Sequence, residues 1–93
     1  MWIMVKENQQ QKTRNNSIED KEYQLILYND DVNTFDFVIS TLMEVCGHDA
    51  EQAEQIAFIV HFKGQCTVKT GSYKKLEPCY RIMINKMLRV GIE

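Results

Sequence analysis

Ninety-three residues, 44% of them apolar and 26% charged, supply the core of one small domain and rule out two packed ones. Eleven basic residues against 13 acidic ones leave a formal net charge of −2, without the positive excess that by itself would point to nucleic acid or an acidic membrane surface as partner. The apolar stretches run to a few residues, short of the roughly 20 that a membrane span needs.

Met1 to Val5 is apolar but lacks the basic flank, long apolar stretch and small-residue cleavage site of a secretory signal, so a cytoplasmic location is expected. From Lys6 to Glu22 the chain is amide-rich and charged with one large apolar residue, Ile18, too little burial to offset the entropy of ordering. Residues 1–22 are expected to form a flexible tail, and residues 23–93 the folded core.

Tyr23 to Tyr28 is rich in β-formers and stops at the turn-forming run Asn29-Asp30-Asp31, which predicts a first strand. Asn33 or Thr34 can then cap a helix in which Phe35, Val38, Leu42 and Val45 recur on one face and Gly47 provides the stop. Asp49 and Gln52 stand at capping-box spacing before a second apolar stripe, Ala53, Ile56, Ala57 and Val60, that ends at Gly64. Between Gln65 and Thr70 the residues Cys66, Val68 and Thr70 alternate with Gln65, Thr67 and Lys69, as in a second strand.

Ser72 can cap a third helix in the segment from Tyr73 to Met87. Pro78 lies inside it, so either the helix kinks there or it starts near Glu77 with the proline in its first turn. Leu88, Val90 and Ile92 alternate with Arg89, Gly91 and Glu93 in a last edge strand. The expected fold is α+β in the order β-α-α-β-α-β, a three-stranded antiparallel sheet with three helices on one face.

Asn29-Asp30-Asp31 is the most distinctive polar cluster. Adjacent carboxylates at a strand end can bind a cation, hold a metal, or simply make the turn and cap the next helix. His61, at the margin of the second apolar stripe, reads on its own as a half-buried histidine. Cys46, Cys66 and Cys79 are odd in number and widely spaced with no CxxC pair, which fits reduced thiols better than disulfides or a zinc site. An enzyme would have to pair Cys46 with His48, or Cys66 with His61, yet the spacing supplies no third orienting group. There is no Gly-rich phosphate loop, CxxC or HExxH, so no cofactor or metal is expected.

Taken together, the strand followed by Asn29-Asp30-Asp31, the element Phe35-Asp36-Phe37-Val38-Ile39, the helix closing as Val60-His61-Phe62-Lys63-Gly64, and the strand after that glycine resemble the ClpS family. That family comprises adaptors which deliver N-degron substrates to Clp AAA+ proteases, and the resemblance covers about three quarters of the chain. It implies a non-enzymatic adaptor that recognises a free protein N-terminus. Asn29, Asp30 and His61 would hold the α-ammonium group, a small cation with up to three donors. A hydrophobic pocket at the positions of Leu27, Asn33, Phe35, Val38, Ala57 and Val60 would take a bulky first side chain, Leu, Phe, Tyr or Trp.

Ala57 stands where the family commonly has methionine, which implies a more open pocket that admits Ile or Val. Phe35 replaces another common methionine, and Asn33 a threonine. Lys74 and Cys79 align with the unfoldase-contacting positions of the third helix, the partner being an unfoldase of ClpA or ClpC type. The tail matches the extension that the unfoldase engages during delivery. The alternative from the structural class is a docking domain with the similar fold of the ribosomal stalk protein L7/L12, which gives no reason to keep Asn29, Asp30 and His61 together.

Overall fold

A computed structural model describes residues 21–93. Apart from Lys21 and Glu22, both exposed, the expected tail over residues 1–22 lies outside the described residues. The element order is β1 (Tyr23–Tyr28), α1 (Phe35–Cys46), α2 (Ala50–Lys63), β2 (Gln65–Gly71), α3 (Tyr73–Asn85) and β3 (Arg89–Ile92). Both ladders are antiparallel, and the sheet order β2-β1-β3 puts the most apolar strand in the middle.

Each helix starts on a side chain that satisfies its first orphan amides. Thr34 accepts from the Phe37 N–H, Asp49 from the Gln52 N–H and Ser72 from the Lys75 N–H. Of the two candidate caps for α1, the chain uses Thr34, which releases Asn33 for another task. Gly47 and Gly64 end α1 and α2 in the left-handed region, at φ 77° and 94°. The third helix runs through Pro78 as its sixth residue. The reading in which it starts near Glu77 fails, because the Ser72 cap fixes its first turn at Tyr73.

Strand alternation turns Leu25 and Leu27 of β1 toward the helices, where they pack with Leu42, Ala53, Ile56, Val60, Val68, Leu76, Met83 and Leu88 in one core. The opposite face carries polar links across strands, Thr67 Oγ1 to Gln24 Oε1 at 2.7 Å and the Tyr28 hydroxyl to Glu93 Oε2 at 2.7 Å. The alternation expected over Gln65–Thr70 holds only to Val68. A bulge opposite Leu25 and Ile26 leaves Val68 without a partner, and Lys69 then pairs with Leu25 on the core side. Lys69 is accordingly half-buried, its ammonium 3.7 Å from the Cys79 sulfur, while Thr70 turns outward. The His48 Nε2–H donates to the Val68 carbonyl at 2.7 Å and fastens the α1–α2 loop to this bulge.

Candidate functional site

The loop after β1 and the end of α2 are joined by one backbone bond. The Asn29 N–H donates to the Gly64 carbonyl at 2.9 Å, so the polar triplet that ends the strand sits beside the last turn of α2, which carries His61. Only a left-handed residue at position 64 lets the chain leave α2 and turn straight into β2 alongside β1. Two motifs well separated in sequence are thus brought together by a strand end and a helix end.

Between them lies a concave pocket of about 320 Å³, lined by Asn29, Asp30, Asp31, Asn33, Phe35, Val38, Ala57, Val60 and His61. All three residues expected at an ammonium group line it, as do five of the six expected in the hydrophobic wall. The sixth, Leu27, is 1% exposed and lies under the pocket, where it borders a smaller recess of about 30 Å³ with Asn33, Val38 and Val60. Apolar walls come from one face each of α1 and α2, and the polar edge comes from the loop and His61.

Asp30 is held in one orientation by its own loop. Its Oδ1 accepts from the Val32 and Asn33 N–H groups, both at 2.8 Å, and its Oδ2 accepts from the Asn33 side-chain amide at 2.9 Å. Burial alone would push its carboxyl up. Those three bonds, together with the Arg89 guanidinium, outweigh it and hold the group below the ordinary carboxylate range. Asp30 therefore presents a fixed negative charge, with acceptor capacity beyond its three internal donors. Among the described residues, no hydrogen bond engages the Asn29 carboxamide or the His61 ring, whose neighbour is the Phe62 ring at 4.9 Å.

Asn33 does more than line the wall. Its amide donates to Asp30 Oδ2 and also to the Met87 carbonyl at 3.0 Å, tying the loop to the turn between α3 and β3. Met87 adopts φ 69°, unusual for a side chain of this kind, and that turn aims its carbonyl at Asn33. Arg89 Nη1 donates to the Asn29 carbonyl at 3.3 Å from the same segment. The supporting roles of Met87 and Arg89 leave no mark in sequence, because they depend on contacts between residues 54 and 60 positions apart.

The two aligned positions of α3 differ in kind. Lys74 is exposed on the first turn, whereas Cys79 is buried, with its thiol 3.6 Å from the Val45 carbonyl and Lys69 close by. The nucleophile pairings do not form. His48 is engaged by Val68, the Cys46 thiol lies against the Met83 sulfur at 4.0 Å, and the Cys66 thiol faces the Thr67 carbonyl. Burial, with a smaller push from Cys79 against the pull of Lys69, raises the Cys46 thiol to about 11, far from a neutral-pH thiolate. No group of three His, Cys, Asp or Glu among the described residues is placed to hold a metal ion. No helix among them is long and apolar enough to cross a membrane.

Comparison with known proteins matches this architecture. Residues 18–88 match the family described as ATP-dependent Clp protease adaptor protein ClpS. An ATP-dependent Clp protease adapter protein ClpS of Treponema denticola is 41% identical over 51 residues, 55% of this chain and 50% of that protein. The protein of the same name from Campylobacter jejuni is 46% identical over 46 residues, 50% of this chain and 48% of its own length. The matched segment thus spans about half the length of these relatives. The solved structure of Agrobacterium tumefaciens ClpS2 bound to L-phenylalaninamide superposes with a TM-score of 0.67 at 20% identity, covering 78% of this chain and 95% of that one. With three helices on a β2-β1-β3 antiparallel sheet and a family match over most of its length, the chain belongs to the ClpS family.

Proposed function

We propose that this chain is an adaptor, not an enzyme, that captures the free N-terminus of a protein and delivers it to a Clp AAA+ unfoldase of ClpA or ClpC type in the cytoplasm. The observation that carries this reading is the pocket itself, which joins a fixed carboxylate and two polar side chains, Asn29 and His61, to an apolar hole. An α-ammonium group needs acceptors around a small cation. Asp30 supplies charge, the Asn29 carboxamide oxygen a neutral acceptor, and a ring nitrogen of His61 a third. The first side chain then enters the space between Phe35, Val38, Ala57 and Val60, where leaving water is its driving force. The structural relative bound to phenylalaninamide, a free amine with a bulky apolar side chain, supports the same pairing of chemistries.

Delivery calls for a second surface. The reading assigns docking to the start of α3, where Lys74 is exposed and Cys79 is buried beneath the surface. ATP hydrolysis belongs to the partner.

The test is fluorescence anisotropy with labelled peptides that begin with Leu, Phe, Ile or Ala, each with a free or an acetylated N-terminus. Free Leu and Phe peptides should bind well, and acetylation, which removes both charge and donors, should abolish it. Asp30→Ala should cost roughly 10- to 150-fold in affinity, the span of about 1.5–3 kcal/mol for a hydrogen bond to a charged group. Asp30→Asn keeps an acceptor for the loop amides, so it separates lost charge from a disordered loop. Equal binding of free and acetylated peptides would refute the reading.

A further inference from the structure

Beyond the pocket, α2 carries apolar surface that the core does not use. Phe58 and Phe62 stand one helical turn apart and are 47% and 75% exposed, on the side of α2 away from the buried stripe of Ala53, Ile56, Ala57 and Val60. Ring contacts connect them to the pocket. The Phe35 ring, in the wall, meets Phe58 edge-on at 4.9 Å, Phe58 stacks on Phe62 at 6.1 Å, and Phe62 meets the His61 ring at 4.9 Å. Both ends of this row, Phe35 and His61, are pocket residues. A single exposed aromatic means nothing, but a contiguous row starting at a binding pocket does.

We infer that the Phe58–Phe62 row is a second subsite, a shelf that takes an aromatic side chain from the residues immediately following the one in the pocket. The inference rests on the N-terminus reading given above. The occupant follows from continuity. A peptide whose amino group is held by Asn29, Asp30 and His61 must leave the pocket past its rim, and each extended residue advances it about 3.3–3.6 Å. Two such steps, about 6.6–7.2 Å, exceed the 4.9 Å from the Phe35 ring in the wall to the Phe58 ring, so the third residue reaches the row. Side chains of an extended peptide alternate, so the third residue returns to the surface that received the first. An edge-to-face or stacked partner on the shelf is worth about 0.5–1.5 kcal/mol beyond its buried area, or roughly a 2- to 12-fold gain in affinity.

The experiment measures anisotropy for peptides that share a free N-terminal Leu and carry Phe, Ala or Asp at position two or three, against the full chain and Phe58→Ala, Phe62→Ala and the double variant. The full chain should prefer Phe over Ala by about 2- to 12-fold, most strongly at position three. The double variant should erase that preference while its affinity for the all-Ala follower peptide stays within about twofold. Equal affinity for Phe and Ala at both positions, with free peptides still preferred over acetylated ones, would overturn this inference alone. Free and acetylated peptides binding alike would overturn it together with its parent reading. A concentration-dependent dimer in sedimentation that the double variant abolishes would also overturn it, because the shelf would then be covered by a second copy.

Discussion

On the proposed reading of the pocket, one small side chain, at position 57, sets what it accepts. Ala57 is 3% exposed and lines the pocket with Phe35 and Val38, so the space in front of it is open where a longer side chain would fill it. A side chain branched at Cβ is widest close to its backbone, where a bulky residue at position 57 would collide with it. We predict that peptides beginning with Ile or Val bind within about tenfold of the Leu peptide, and that Ala57→Met reduces their binding by about tenfold or more while sparing Leu. Anisotropy titrations with the four peptides check this. A uniform loss would instead mean that the longer side chain of the Ala57→Met variant disturbs the α1–α2 packing. Asn33 makes the complementary point, since it lines the pocket yet its two donors hold Asp30 and the Met87 carbonyl. The sequence marks Asn33 as a cap or a wall residue, and this role as a brace was illegible because its partner is a backbone oxygen 54 residues away.

The joint between α2 and β2 is the element on which the site depends. Gly64 closes the helix at φ 94° and its carbonyl receives the Asn29 N–H, so its conformation sets the spacing between His61 and the Asn29-Asp30-Asp31 loop. A Cβ there would meet no atom within 4 Å, and the cost of Gly64→Ala is therefore that of the left-handed backbone alone, about 1–2 kcal/mol. Urea denaturation should show that loss, and peptide affinity should fall as well if the variant relieves strain by shifting the loop. Loss of stability with unchanged affinity would mean that the loop is positioned from the Arg89 side. Other elements were legible for similar local reasons. Thr34, Asp49 and Ser72 are good caps, Gly47 and Gly64 good stops, and the buried residues of α2 are the four that its stripe predicts. Local signals missed the β2 bulge, which reverses the faces of Lys69 and Thr70, and left open whether α3 runs through Pro78, which it does from a first turn capped by Ser72 at the loss of one hydrogen bond.

At the scale of the whole molecule, the site is a place where charge and apolar surface from distant segments meet, and its pH dependence follows from that. The pocket-lining residues were expected only through the family resemblance that the motifs at its two ends carry, while the shelf was not expected at all, because Phe58 and Phe62 resemble an ordinary continuation of an apolar helix. Asp30 is held below the ordinary carboxylate range. Its contribution to folding is present above the unfolded-state value near 4 and is lost as pH falls through the lower folded value. Acid titration of stability should thus be shallower in Asp30→Asn below about pH 4. Binding has a different upper limit. Above about pH 7 carboxylates and guanidinium groups keep their charges, so the ligand's own ammonium, with a pKa near 8, is the group that changes. Affinity for a free Leu peptide should hold near pH 7 and fall above about pH 8, approaching tenfold per pH unit. A peptide with a trimethylated N-terminus, permanently charged but without N–H donors, should bind weakly at every pH. If it bound as well as the free amine, charge alone would be read at the pocket edge, and the acceptors of Asn29 and His61 would have no part in recognition.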